Sequence, residues 1–98
     1  MLSNDAERRV RERILVVDDE LLIRNVIATR LQWRGYNVTF ATNGEEAVAR
    51  FQREPMDLVV LDLMLPRLNG FGVLRAVRSS SDVAVLMLSA CDRLEDRI

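Results

Sequence analysis

The sequence predicts an α/β fold built on a parallel sheet, and three observations predict it. Short apolar runs alternate with segments of helical period, several of those runs are unbroken as burial on both faces requires, and they end abruptly in polar groups. With 98 residues, 49% of them hydrophobic and 30% charged, the chain holds one domain around a single core.

Arg13 to Val17 reads as the first strand. Ile23, Val26, Ile27 and Leu31 follow at offsets of three, four and eight, the inward stripe of a helix from about Glu20 to Trp33, which Gly35 closes as a left-handed cap. Trp33 and Tyr36 are expected to pack at that helix end. Tyr36 to Ala41 alternates and predicts a strand. Asn43-Gly44 signals a turn or cap, and Glu45 and Glu46 suit the positive end of a helix that runs to about Arg53 with Ala47, Val48 and Phe51 inward. Pro55 stops it. Asp57 to Leu61 predicts a third strand, ending at Asp62. Leu63 to Gly70 predicts a loop, and Val73, Leu74 and Val77 mark the helix after it. A turn at Ser79 to Asp82 leads to a fourth buried strand, Val83 to Leu88, which ends at Ser89, and Cys91 to Ile98 opens another helix.

Composition removes several function classes. All 14 basic residues are arginines, and the formal net charge of -1 gives no surplus of cations for a phosphate backbone, so no nucleic-acid contact is expected from this segment. Without histidine and with Cys91 alone, there is no internal disulfide and no transition-metal cage, and Cys91 reads as a small packed side chain. Met1 to Arg13 lacks the apolar core of a signal peptide, and no later run spans a membrane, which makes the cytoplasm the default.

In open parallel sheets, ligands collect beyond the carboxyl ends of the strands. Asp18 and Asp19 leave the first strand, Asp62 the third and Ser89 the fourth, so right-handed winding brings them to one rim. Taken singly, Asp18 and Asp19 read equally as turn formers, and Asp62 as a helix cap. Taken together, three crowded carboxylates repel one another unless a cation intervenes, and Mg2+, which favours oxygen ligands, is the natural occupant. A carboxylate beside that cation is a nucleophile toward phosphorus. Asp62, on the most apolar and central strand, is assigned that part, with Asp18 and Asp19 as the cation clamp.

These residues resemble a known family. From Ile14 to Ile98 the chain is similar to the receiver domain of two-component response regulators, on four elements in order: Val17-Asp18-Asp19-Glu20, Asn43-Gly44-Glu45-Glu46-Ala47, Asp62 with Pro66 and Gly70 as D-x-x-x-P-x-x-x-G, and a strand ending in Ser89-Ala90. The resemblance implies a flavodoxin-like doubly wound parallel sheet, here incomplete, with four strands in the order 2-1-3-4. It implies that Asp62 accepts phosphate from a sensor histidine kinase, that Asp19 ligates Mg2+ directly and Asp18 largely through water, that Met64 lends its backbone carbonyl, and that Ser89 is the switch hydroxyl. It divides the chain into a leader, residues 1–12, and a partial receiver domain, residues 13–98. The texture around Gly35-Tyr36-Asn37-Val38 is closest to receivers of winged-helix transcription factors, in which a DNA-binding domain follows.

The family's fifth strand, its lysine and its fifth helix have no counterpart here, so impaired switching is expected, together with a homodimer or strand-exchanged oligomer formed through the uncovered fourth strand. The expectation is a signalling module, not an enzyme. The alternatives are a degenerate receiver acting only by protein contact, an aspartate-nucleophile phosphatase, which requires an acid where Met64 stands, and a flavodoxin-type electron carrier, whose phosphate loop the acids after the first strand would oppose.

Overall fold

The computed structural model describes residues 11–63, 65 and 68–88. Its elements run β1 (Arg13–Val17), α1 (Leu21–Trp33), β2 (Asn37–Ala41), α2 (Gly44–Arg53), β3 (Leu58–Asp62), α3 (Gly70–Arg78) and β4 (Ala84–Leu88). Among the described residues the strands form one parallel sheet in the order β2-β1-β3-β4, the flavodoxin-like order expected. Val17 stands in register with Ala41 on one side and Leu61 on the other, and Asp62 with Leu88, so the carboxyl ends of all four strands lie along one rim.

Alternation along each strand divides the core between the two faces of the sheet. Leu15, Val17, Val59 and Leu61 point to one face, where Ala47 of α2 and Val73 and Val77 of α3 join them, with Val48, Phe51 and Leu74 at the margin. Ile14, Val16 and Val60 point to the other face, packed with Ile27, Leu31, Tyr36 and Val38. Leu15, Val16, Val17, Val59 and Leu61 are sealed from solvent, as the unbroken apolar runs require. At about 1.5–3 kcal/mol per buried aliphatic side chain, this double burial is the main force holding the central strands.

Three expectations need correction. Ile23 and Val26 are 44% and 55% exposed, so only the Ile27–Leu31 part of the predicted stripe faces the sheet, and Ala28 is the one buried residue of α1. The helix sits over β1 and β2, which leaves its other flank uncovered. Trp33 does not pack at the helix end: it is 87% exposed, while Tyr36 does join the core. The fourth strand is not buried either, with Leu86 54% exposed, because among the described residues only β3 pairs with β4. Tyr36, Asp57 and Val83 lie just outside the strands predicted to contain them.

Local signals explain the boundaries. Gly35 takes φ +95, the left-handed value that glycine adopts without cost, and turns the chain from α1 toward β2. Asn43 caps α2 by accepting from the Glu46 N–H at 2.8 Å, and Asn69 caps α3 by accepting from the Gly72 N–H at 3.0 Å. The predicted last helix, Cys91 to Ile98, lies outside the described residues.

Candidate functional site

The ends of β1 and β3 deliver three acids to one place. Oxygen atoms of Asp18, Asp19 and Asp62 lie within 4.8 Å of one another. Because strand side chains alternate, the two neighbours at the end of β1 differ: Asp18 turns inward and is only 3% exposed, whereas Asp19 is exposed and Asp62 half-buried. The resemblance gave the two acids different parts, Asp19 direct and Asp18 largely through water, and the structure adds that Asp18 is the buried acid and Asp19 the solvent-facing one.

Asp18 is held from several sides. Its N–H donates to the Ala41 carbonyl at 3.1 Å, continuing the β1–β2 ladder past the strand end. Its Oδ1 accepts from the Glu20 N–H at 2.9 Å, which forms the turn into α1, and its carbonyl accepts from Arg24 Nη1 at 3.2 Å. Burial pushes the Asp18 carboxyl above its ordinary range; the Glu20 N–H bond opposes this, and the charges of Asp62, Asp19 and Glu20 reinforce it. The charges of Asp19 and Asp62 thus add to the cost of ionising Asp18.

Whether a divalent cation fits is decided by the spacing and the type of these donors. Mg2+ holds oxygens at about 2.0–2.1 Å, so two ligands of one ion stand at most about 4.2 Å apart. The three carboxylates come within side-chain rotation of that spacing, and all donors are the hard oxygens Mg2+ prefers. The residues fit the ion. Met64, expected to lend a carbonyl, and Ser89, expected to lend a hydroxyl, lie outside the described residues. Leu88, immediately before Ser89, is the register partner of Asp62.

Two glycines allow close backbone approaches around the segment that follows β3, for reasons that spacing alone does not disclose. A Cβ on Gly70 would stand 2.6 Å from Leu63 Cα and 2.8 Å from the Asp62 carbonyl oxygen, so the chain leaving the central acid folds back where only a hydrogen fits. A Cβ on Gly44 would overlap the Leu68 carbonyl, so the start of α2 and the loop after β3 lie backbone to backbone. Arg24 was also missed: a lone arginine on a helix carries no sequence signal that its guanidinium reaches back to the strand end.

A parallel sheet in this order with an acidic trio on its carboxyl rim is the architecture of a receiver domain. The family model for the response regulator receiver domain matches residues 14–98, and the chain belongs to that family. Among curated relatives, it is similar to a probable transcriptional regulator, ycf27, of Porphyridium aerugineum, at 51% identity over 88 residues, which cover 90% of this chain and 37% of that protein. The chain thus spans little more than a third of the length of such relatives. Among solved structures it resembles the Thermotoga maritima response regulator TrrA in complex with Mg2+-BeF, with TM-score 0.78 and 39% identity over 87% of this chain and 76% of that one. TrrA in complex with the histidine kinase ThkA is similar too, with TM-score 0.75 and 41% identity over 81% and 69%.

Proposed function

We propose that this chain is a phosphoacceptor module that takes phosphate from a sensor histidine kinase onto Asp62 with Mg2+ at the site. The observation that carries the reading is the meeting of Asp18, Asp19 and Asp62 from two strand ends, with carboxylate oxygens within 4.8 Å. Asp18, Asp19, Asp62 and the Met64 backbone carbonyl would hold the ion, which when bound neutralises charge on the phosphoryl oxygens. An Asp62 carboxylate oxygen attacks the phosphorus of a phosphohistidine: the O–P bond forms, the N–P bond breaks and the protonated imidazole leaves. The rigid, doubly buried β3 keeps that oxygen in line with the incoming group. The Ser89 hydroxyl is the switch group that moves toward the phosphoryl oxygens. Turnover is not the purpose of this chemistry; signalling is.

The kinase complex of TrrA and the regulator names of the curated relatives support the partner and the setting. Among the described residues no helix is long and apolar enough to cross a membrane. We place the chain in the cytoplasm, as residues 13–98 of a receiver preceded by the leader 1–12, with DNA contact made by a further domain of the kind its longer relatives have room for.

The test is treatment with Mg2+ and a small phosphodonor, read by intact mass. One phosphoryl adduct is expected on the wild-type chain, or on a version extended to the relatives' receiver length, and none on Asp62→Asn. If neither form acquires an adduct, the reading falls in favour of a module that works by contact alone.

A further inference from the structure

The peptide that joins Asp18 to Asp19 connects two acids of the trio, and a side chain from α1 donates to it. Its carbonyl, that of Asp18, accepts from Arg24 Nη1 at 3.2 Å. The preceding peptide is already fixed by the Asp18 N–H bond to Ala41, and the Asp18 carboxylate by the Glu20 N–H. Asp19 is the exposed member of the trio, and its N–H belongs to the peptide that Arg24 holds. The guanidinium is itself held, with its central carbon 5.6 Å from the centroid of the Phe40 ring on β2, within reach of a cation–π attraction. Arg24 therefore ties three elements together at the site: the end of β1, the first turns of α1 and the end of β2.

We propose that Arg24 is a positioning residue of the metal site, orienting the Asp18–Asp19 peptide so that the Asp19 carboxylate meets the ion at the short distance Mg2+ demands. This rests on the Mg2+ reading of the site. Two effects of Arg24 oppose each other. As a cation near the trio it repels a divalent ion, so its removal would tighten binding of every such ion. As a clamp it narrows the positions open to Asp19, so its removal weakens binding, and more for Mg2+ than for Ca2+, whose longer bonds and flexible coordination tolerate a loose ligand. The clamp is the larger effect, because outer partners that orient ligands typically change metal affinity by about 10–100-fold.

The experiment is titration of the 98-residue chain with MgCl2 and separately with CaCl2 by calorimetry, with the Asp19 amide followed by NMR. For Arg24→Ala the expected result is Mg2+ affinity down about tenfold, a smaller loss for Ca2+ and a shifted Asp19 amide in the metal-free spectrum. Arg24→Lys, which keeps the charge but not the planar fork, should fall between Ala and wild type. Phe40→Leu removes only the ring under the guanidinium and should weaken Mg2+ about two- to threefold, the size of an exposed cation–π attraction, which keeps the proposal testable if Arg24→Ala fails to fold. Unchanged or tighter Mg2+ binding in the folded variants, or equal losses for both ions, would overturn the proposal while leaving the metal site intact. No Mg2+ binding by the wild-type chain would overturn the metal reading and the proposal together.

Discussion

Asp18 and Asp19 are the same residue type one position apart, yet they carry different energies. Asp18 is buried among like charges and its carboxyl is raised above the ordinary range, so its ionised form opposes folding in the absence of a cation. Asp18→Asn keeps an oxygen for the Glu20 N–H and removes the charge. Thermal unfolding in chelator should therefore show a melting temperature a few degrees above wild type, and added Mg2+ should no longer raise it; a variant that melts below wild type in chelator would contradict this account. The trio was legible in the sequence because each acid ends an apolar run. Which acid is buried was not, because that depends on the ladder from Asp18 to Ala41 and on what covers each side of the strand end. The glycines divide in the same way. Gly35 and Gly70 stood out by their places after a helix and in a spaced motif, but the physical demand on Gly44 is the Leu68 carbonyl, 24 residues further along the chain. Alanine at 44 gains about 1 kcal/mol of helix propensity, yet must move a backbone carbonyl, and overpacking costs about 1–3 kcal/mol or more. Overlap wins, so Gly44→Ala should lower the urea midpoint, and an unchanged or higher midpoint would refute the close approach.

The start of α2 is where one element concentrates several small terms. Asn43 accepts from the Glu46 N–H, while Glu46 Oε1 accepts from the Thr42 N–H at 2.8 Å and the Thr42 hydroxyl at 3.0 Å, a reciprocal cap displaced by one residue at its return bond. Asn43→Ala should cost about 1 kcal/mol, or roughly 4–8 °C of melting temperature in a domain of this size. The Thr42 N–H bond is the main cause of the lowered Glu46 carboxyl; burial opposes it, and the Thr42 hydroxyl and Arg50 add to it. With a folded value below the unfolded one, this stabilisation is fully present above the unfolded carboxyl range and is lost as pH falls through the folded value. Glu46→Gln should therefore flatten the acid limb of a stability–pH curve while changing little near neutrality beyond a constant offset; a parallel acid limb would sink the assignment. The cap was legible, since Asn43-Gly44-Glu45-Glu46 is a start signal. In α1 the spacing of Ile23, Val26, Ile27 and Leu31 was equally regular and only partly right: an apolar stripe says that a face seeks cover, and the neighbouring element decides how much of it finds any.

Across the whole molecule, the sheet is covered unequally. Among the described residues one face carries α2 and α3 over a continuous core, whereas the other carries only α1, above β1 and β2. Leu22, Ile23 and Val26 on α1 and Leu86 on β4 stay 44–78% exposed, and β4 has an open edge among the described residues. Apolar surface beside an open strand edge favours self-association. Sedimentation velocity across a concentration series should show a monomer–dimer shift, and Leu86→Glu with Val26→Glu should abolish it. A single monomeric species at every concentration would refute the association first read from the fourth strand. On the covered side, Leu61→Ala should cost about 2–5 kcal/mol by opening a cavity directly beneath the acidic rim.

The sequence by itself determined the order of elements, the parallel sheet, the carboxyl-end placement of Asp18, Asp19 and Asp62 and the caps at Gly35 and Asn43, because these follow from periodicity of two or 3.6 and from residues acting within a few positions of themselves. Only the tertiary structure decided which acid is buried, that Arg24 reaches back to the strand end across Phe40, that Gly44 meets Leu68, and that half of α1 and the whole of Trp33 face outward. Those outcomes are set by distances between segments far apart in the chain, and no local pattern encodes what a side chain will meet when the layers close.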